Sequence, residues 1–203
     1  MKIVNQSWYF IDEIDGLEIL KKLERIGRVS YKSEDKITED SAAKFVKMLI
    51  NSGHESVIEH VSLTAYIITD RGVSHELVRH RIASFTQEST RYCNYSKGKF
   101  GSELTVIMPP LQPVELSEWK ITIQAIEASY LRLINEGVSS QLARLVLPNS
   151  LKTELYMTMN FREWRHFFKL RTSPKAHPQM RELALGMLNN LKHMVPVIFE
   201  DIS

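Results

Sequence analysis

The stretch from Ser117 to Glu136 is the longest helical segment of the chain, and Gly137 follows it where a C′ residue belongs. Such a segment excludes a fold of strands alone, and other helices accompany it. Thr38 to Ile50 reads as a helix that Thr38 can cap; Ala42, Phe45, Val46 and Leu49 supply its apolar face, and Asn51-Ser52-Gly53 ends it. Ser139 to Leu147 is a shorter helix stopped by Pro148, and a last one runs from about His177 to His193. Val61 to Thr69 is rich in β-branched and aromatic residues and reads as a buried strand. Thr105 to Met108, ahead of Pro109-Pro110, and Leu155 to Met159 read as short strands. Asn160-Phe161-Arg162-Glu163 has the form of a capping box, opening a helix that carries Trp164, Phe167 and Phe168 towards Arg171. Long helices mixed with a few short strands predict an α+β protein. The expected form is a single domain over residues 1–203, with a small, mainly antiparallel sheet flanked by long helices.

Composition narrows the functions. With 26 basic against 24 acidic residues the net charge is +2, too balanced for bulk nucleic-acid or membrane-surface binding. Any anion site must therefore be a local basic cluster. Cys93 is the only cysteine, which excludes an internal disulfide and any CxxC motif. The N-terminus lacks an apolar h-region, and no apolar run is long enough to span a bilayer. A soluble, cytoplasmic protein is expected. There is no GxGxxG and no Walker loop, so a nucleotide would not be held in a Rossmann or P-loop manner.

The most unusual stretch is Arg79-His80-Arg81-Ile82-Ala83-Ser84-Phe85-Thr86-Gln87-Glu88-Ser89-Thr90-Arg91-Tyr92. Arginine grips phosphate and planar carbonyl groups through two parallel hydrogen bonds, while hydroxyls and amides fix the edge of a heterocycle. The plain alternative is a solvated, charged surface loop. Against it, Arg79-His80-Arg81 sits between apolar Leu77-Val78 and Ile82-Ala83, which draws part of it towards the core, where like charges need an anionic partner.

This run resembles the signature of the flavin-dependent thymidylate synthases: Arg-His-Arg, two residues, Ser, then Ser and Arg at fixed offsets, matched by Arg79, His80, Arg81, Ser84, Ser89 and Arg91. Six fixed positions coincide by chance on the order of once in 10⁸ windows. Thr86 stands where many members carry Asn, which touches one hydrogen-bonding contact. Further elements follow in the family's order. Arg28-Val29-Ser30-Tyr31, Gly53-His54-Glu55-Ser56 with Glu59-His60, and Ala143-Arg144-Leu145-Val146-Leu147-Pro148 come first, then His166 to Arg171 with His177 and Gln179.

The resemblance implies an α+β subunit in a homotetramer, with sites built where subunits meet. It implies FAD as cofactor, NADPH and 5,10-methylenetetrahydrofolate as co-substrates, and dUMP as the molecule methylated to dTMP. By position, Ser56, Arg79, His80, Arg81, Gln87, Asn160, Arg162 and His166 would contact FAD. Glu76, Leu77, Val78, Arg79, Gln87, Glu88, Ser89, Thr90, Arg91, Arg144 and Arg171 would lie at dUMP, with Arg171 as the catalytic group that stabilises negative charge on the uracil edge. Each has a plainer reading. Asn160 can be a helix cap, His166 beside Phe167 and Phe168 an ordinary partly buried histidine, and Glu76 a residue favouring a helix N-terminus or pairing with Arg79.

Three rivals compete with this reading. A cysteine-dependent thymidylate synthase would need Cys93, which lies outside any Pro-Cys-Gln context, has no close histidine and reads as a small apolar filler. A metalloenzyme would draw on His54, His60, His75 and His80, whose spacings fit no zinc pattern, so no metal is expected. A nucleic-acid binder would use the basic loop with Tyr92, Tyr95, Lys97 and Lys99, without the broad positive stripe that role needs.

Overall fold

A computed structural model describes residues 1–98 and 101–203, so Lys99 of the basic loop lies outside the described residues. The strands are β1 (Lys2–Val4), β2 (Ser7–Phe10), β3 (Ser62–Asp70), β4 (Ser84–Gln87), β5 (Thr105–Ile107) and β6 (Lys152–Asn160). The helices are α1 (Gly16–Arg28), α2 (Ser41–Asn51), α3 (Arg71–Leu77), α4 (Pro113–Asn135), α5 (Ser140–Ala143), α6 (Phe161–Arg171), α7 (Pro178–Met194) and α8 (Pro196–Phe199). One sheet has the strand order β2-β3-β6-β4, and β1 pairs with β5 in parallel with Ile3 opposite Val106. The β3–β6 pair is antiparallel: Val61 meets Phe161, Thr64 meets Thr158 and Tyr66 meets Tyr156, one number rising as the other falls. The α+β expectation holds, with a small and mainly antiparallel set of strands.

The chain divides into two compact units, Met1–Ser7 with Tyr66–Arg79 and Phe85–Tyr156, and Trp8–Ala65 with His80–Ser84 and Met157–Ser203. In the first, α4 packs Tyr130 against Tyr95, Leu104, Ala143 and Leu151, with Cys93 at the edge of that cluster. In the second, α6 presents Trp164, Phe167 and Phe168, all fully buried, to one another and to Phe10 and Phe199. Phe161, Trp164, Phe168 and Arg165 recur at three- and four-residue spacing, so one face of α6 is wholly interior. Buried Arg165 donates to both carboxylate oxygens of Asp201 at 2.6 and 2.7 Å, to Glu55 at 3.1 Å and to the Ile198 carbonyl.

Several boundaries differ from the expected ones for physical reasons. Thr38 does not cap α2: the Ser41 hydroxyl accepts from Thr38 N at 2.8 Å and closes a turn ahead of the helix. The long helix begins earlier than Ser117, at Pro113, whose fixed φ and missing N–H suit the first helical turn. The Ser139–Leu147 segment breaks into α5 and a 3₁₀ turn over Arg144–Val146, because Pro148 holds Leu147 extended. β6 starts at Lys152, ahead of Leu155, and Ser84–Gln87, within the basic run, is a strand. Gly137 takes a φ of 86°, the left-handed value expected of the residue closing α4.

Candidate active site

α6 is where the local sequence rules act most directly. The Asn160 side chain accepts from Glu163 N at 2.9 Å, so the predicted cap exists and fixes the first turn. That turn opens on a cavity of about 580 Å³ lined by Glu55, Glu59, Ile82, Asn160, Arg162, Glu163, His166 and Lys169. Three of the eight residues expected at FAD therefore share one wall: Asn160, Arg162 and His166. Arg162 is exposed and pairs with Glu59 at 2.6 Å and with Glu55 at 3.9 Å. His166 is exposed rather than partly buried, since the two phenylalanines after it turn to the opposite, interior face.

Sequence reasoning missed Glu55, Glu59, Glu163, Lys169 and Ile82. For Glu163 the signal was present, because a capping-box glutamate three residues before His166 stands one turn away on the same helix. Glu55 and Glu59 flank Ser56, which is exposed and is not among the residues lining the cavity.

Of the Arg79-His80-Arg81 group only His80 is drawn into the core; it is 5% exposed, while both arginines stay at the surface. The like-charge burial expected there does not arise. His80 Nε2 accepts from Arg171 Nε at 3.0 Å, Nδ1 lies 3.6 Å from a Glu163 carboxylate oxygen, and the ring packs edge-on against Phe167 at 5.0 Å. Burial, then the positive charge of Arg171 and His166, lowers the His80 pKa to about 4, so the ring is neutral at neutral pH. Burial raises the Glu163 carboxyl above its usual range, with His166 opposing that shift.

The residues expected at dUMP fall in the first unit, apart from Arg171. Leu77 is fully buried and contributes no side-chain surface, whereas Val78 is 38% exposed. Glu76 stands in the last turn of α3, not at a helix N-terminus; Asp70 caps that helix by accepting from Val73 N at 2.7 Å. Gln87 Nε2 donates to Ser74 Oγ at 2.9 Å and to Thr153 Oγ1 at 3.0 Å, which fixes its amide. Glu88 accepts from the Tyr95 hydroxyl at 2.9 Å and lies 3.4 Å from Lys152 Nζ. Arg144 donates to Thr90 Oγ1 at 3.3 Å, joining two expected residues 54 positions apart. Arg91 and Ser89 meet through the Arg91 N–H at 3.3 Å, with the guanidinium 5.5 Å over the Tyr92 ring. Arg79 and Arg81 are exposed, and so is Thr86 on β4. Among the described residues, no group of three or more His, Cys, Asp and Glu is placed to hold a metal ion, and no helix is long and apolar enough to cross a membrane.

The model of the family described as thymidylate synthase complementing protein matches residues 16–197. A flavin-dependent thymidylate synthase of Geobacter sulfurreducens is 37% identical over 175 residues, covering 82% of this chain and 72% of that protein. The chain belongs to the flavin-dependent thymidylate synthase family. A second synthase, from Pyrococcus furiosus, is 36% identical over 81% of this chain and 68% of its own. Among solved structures, the UMP/dUMP methylase PolB from Streptomyces cacaoi, bound with 5-Br dUMP, superposes with a TM-score of 0.81. It is 26% identical and covers 98% of this chain and 96% of that one.

Proposed function

We propose that this chain catalyses the reductive methylation of dUMP to dTMP, with 5,10-methylenetetrahydrofolate as carbon donor and NADPH-reduced FAD as reductant. The observation that carries the reading is the agreement of synthase relatives across about four-fifths of the chain. The fold neighbour that holds a brominated dUMP supports the same substrate.

The α6 cavity suits the polar parts of FAD. Arg162, Lys169 and the Asn160 amide offer donors to a pyrophosphate, and Glu55 and Glu59 offer acceptors to ribose hydroxyls. Bound FAD would supply the reducing equivalents that turn the transferred one-carbon unit into a methyl group. Ser56, His80 and Arg81 of the same unit, with Arg79 and Gln87, complete the proposed FAD set. A homotetramer with sites built between subunits would bring the remaining walls, and the setting would be cytoplasmic.

For dUMP, Arg91 and Arg144 are permanent cations suited to the phosphate, with Ser89 and Thr90 as neutral partners. Gln87, Glu88 and the Glu76–Arg79 segment would frame the sugar and base. Arg171 would stand at the uracil N3 edge, where its charge stabilises the negative charge that makes C5 nucleophilic. No protein nucleophile is required, which leaves Cys93 outside the chemistry.

The test is the visible spectrum of the protein after FAD addition and desalting, then with NADPH and dUMP. Flavin bands that survive desalting and bleach with NADPH, followed by dTMP formation with the folate, support the reading. A protein that retains no flavin with or without dUMP overturns it.

A further inference from the structure

Arg171 ends α6, where a long side chain is free to take many rotamers unless something holds it. Here its Nε–H is committed to His80 Nε2 at 3.0 Å, a residue 91 positions away that is itself almost wholly buried. A guanidinium is planar, so fixing the direction of Nε–H fixes the plane of the whole group. The acceptor is fixed in turn. The His80 ring packs edge-on against Phe167 at 5.0 Å and lies 6.3 Å from the His166 ring, and its other nitrogen faces the buried Glu163 carboxylate, whose backbone N–H is bound by the Asn160 cap.

We propose that His80 is a positioning residue for Arg171: its Nε2 accepts the arginine Nε–H while its Nδ1–H faces the Glu163 carboxyl, so the ring sets the plane in which the guanidinium meets the pyrimidine. This rests on the role given to Arg171 under the proposed function. An imidazole can serve as acceptor at Nε2 only in the neutral Nδ1–H form, and a carboxyl oxygen opposite Nδ1 selects that tautomer. The depressed pKa of His80, caused first by burial and then by Arg171 and His166, keeps the acceptor available across the neutral range. Among the described residues, the charged and titratable groups facing the ring are Arg171, Glu163 and His166, all on α6.

The experiment is a double-mutant cycle on the flavin-loaded enzyme, comparing His80→Phe, Arg171→Ala and the pair in dTMP formation, with the dUMP Kd measured separately. The expected result for His80→Phe is a kcat lower by about ten- to a hundredfold at matched flavin content, with the dUMP Kd moved less than about threefold. The doubly substituted enzyme is expected within about twofold of Arg171→Ala alone, because His80 acts through Arg171. Multiplying effects would overturn the inference while leaving the role of Arg171 standing. Wild-type turnover by Arg171→Ala would instead remove that role, and this inference with it. A readout without substitution uses the ¹⁵N signals of the imidazole: an unprotonated Nε2 and a protonated Nδ1 from pH 7 to 5 support the assignment, and the opposite tautomer overturns it.

Discussion

Arg171 and His80 are joined by a single hydrogen bond of 3.0 Å in which the charged group donates and the neutral imidazole accepts. The arrangement makes the fold sensitive to protonation of His80. In the unfolded chain this histidine takes a proton near its ordinary value of 6.5, whereas in the folded protein it resists until about 4. The unfolded state therefore binds more protons in that window, and stability rises with pH across it. The contribution is fully present above about 6.5 and is lost as the pH falls through 4. At about 1.4 kcal/mol per pKa unit it is on the order of 3 kcal/mol. Glu163 acts in the opposite sense, since its raised pKa lets the folded state keep a proton longer as the pH rises. Urea unfolding of wild type and His80→Gln at pH 7 and pH 4.5 isolates the histidine: the wild type should lose more stability on acidification. Equal losses would show that His80 does not titrate as described.

Asn160 has two duties that substitutions can separate. Its side chain caps α6 through Glu163 N at 2.9 Å, and it lines the 580 Å³ cavity. Asn160→Ala should cost about 1 kcal/mol through the lost cap. Asn160→Ser keeps a capping oxygen but removes the amide donor, so it should recover most of that stability without recovering flavin retention. Thermal melts read the first quantity and flavin content after desalting the second. A serine variant that retains flavin as well as wild type would reduce Asn160 to a cap.

Arg165 carries a fully desolvated charge whose partners are Asp201, Glu55 and the Ile198 carbonyl. Removing the cation strands the buried Ile198 carbonyl and leaves Glu55 and Asp201 without their partner, so Arg165→Met should cost about 3–5 kcal/mol in urea unfolding. Asp201→Asn should cost far less, because the carboxylate is 47% exposed and water screens its share. The Arg165 hydrogen bonds hold the Asp201 carboxyl below the usual carboxylate range. That part of its stabilisation is present above the ordinary pKa and disappears as acid protonates the folded-state carboxylate. Equal costs for the two variants would contradict this division.

What the sequence made legible were features whose causes are local. The Asn160–Glu163 cap, the left-handed Gly137 and the apolar face of α6 depend on residues within a turn of one another. The run from Arg79 to Arg91 was legible by resemblance, but its internal strand was not. Ser84–Gln87 is only four residues long with Phe85 as its one apolar residue, and Gln87 is fixed by Ser74 and Thr153, partners 13 and 66 positions away. The early start of β6 was hidden for a similar reason. Lys152 and Glu154 are poor strand formers whose partners, Glu88 and Tyr66, come from other segments. α3 did carry a local signal, Asp70 ahead of Val73, but the helix is a short one. The His80–Arg171 and Arg165–Asp201 pairs join positions that no spacing rule connects, so only tertiary packing shows which of many arginines is held and by what.

Cys93 separates the flavin chemistry from a cysteine-dependent methylation. It is half-buried against the Tyr95–Tyr130 cluster, and its backbone N–H donates to the Ser89 carbonyl, an arrangement of a packed loop residue. Nearby, the Tyr95 hydroxyl donates to Glu88 at 2.9 Å, and burial, then Glu88, pushes the Tyr95 phenol up. A nucleophile that must attack C6 of a pyrimidine needs a base within reach to activate it. Cys93→Ala should therefore keep dTMP formation within about twofold of wild type and lose no more than about 1–2 kcal/mol of stability from the small cavity it leaves. The check is turnover and a urea melt on the same preparation. Loss of turnover with an unchanged melt would place a thiolate in the reaction and overturn the flavin-only route.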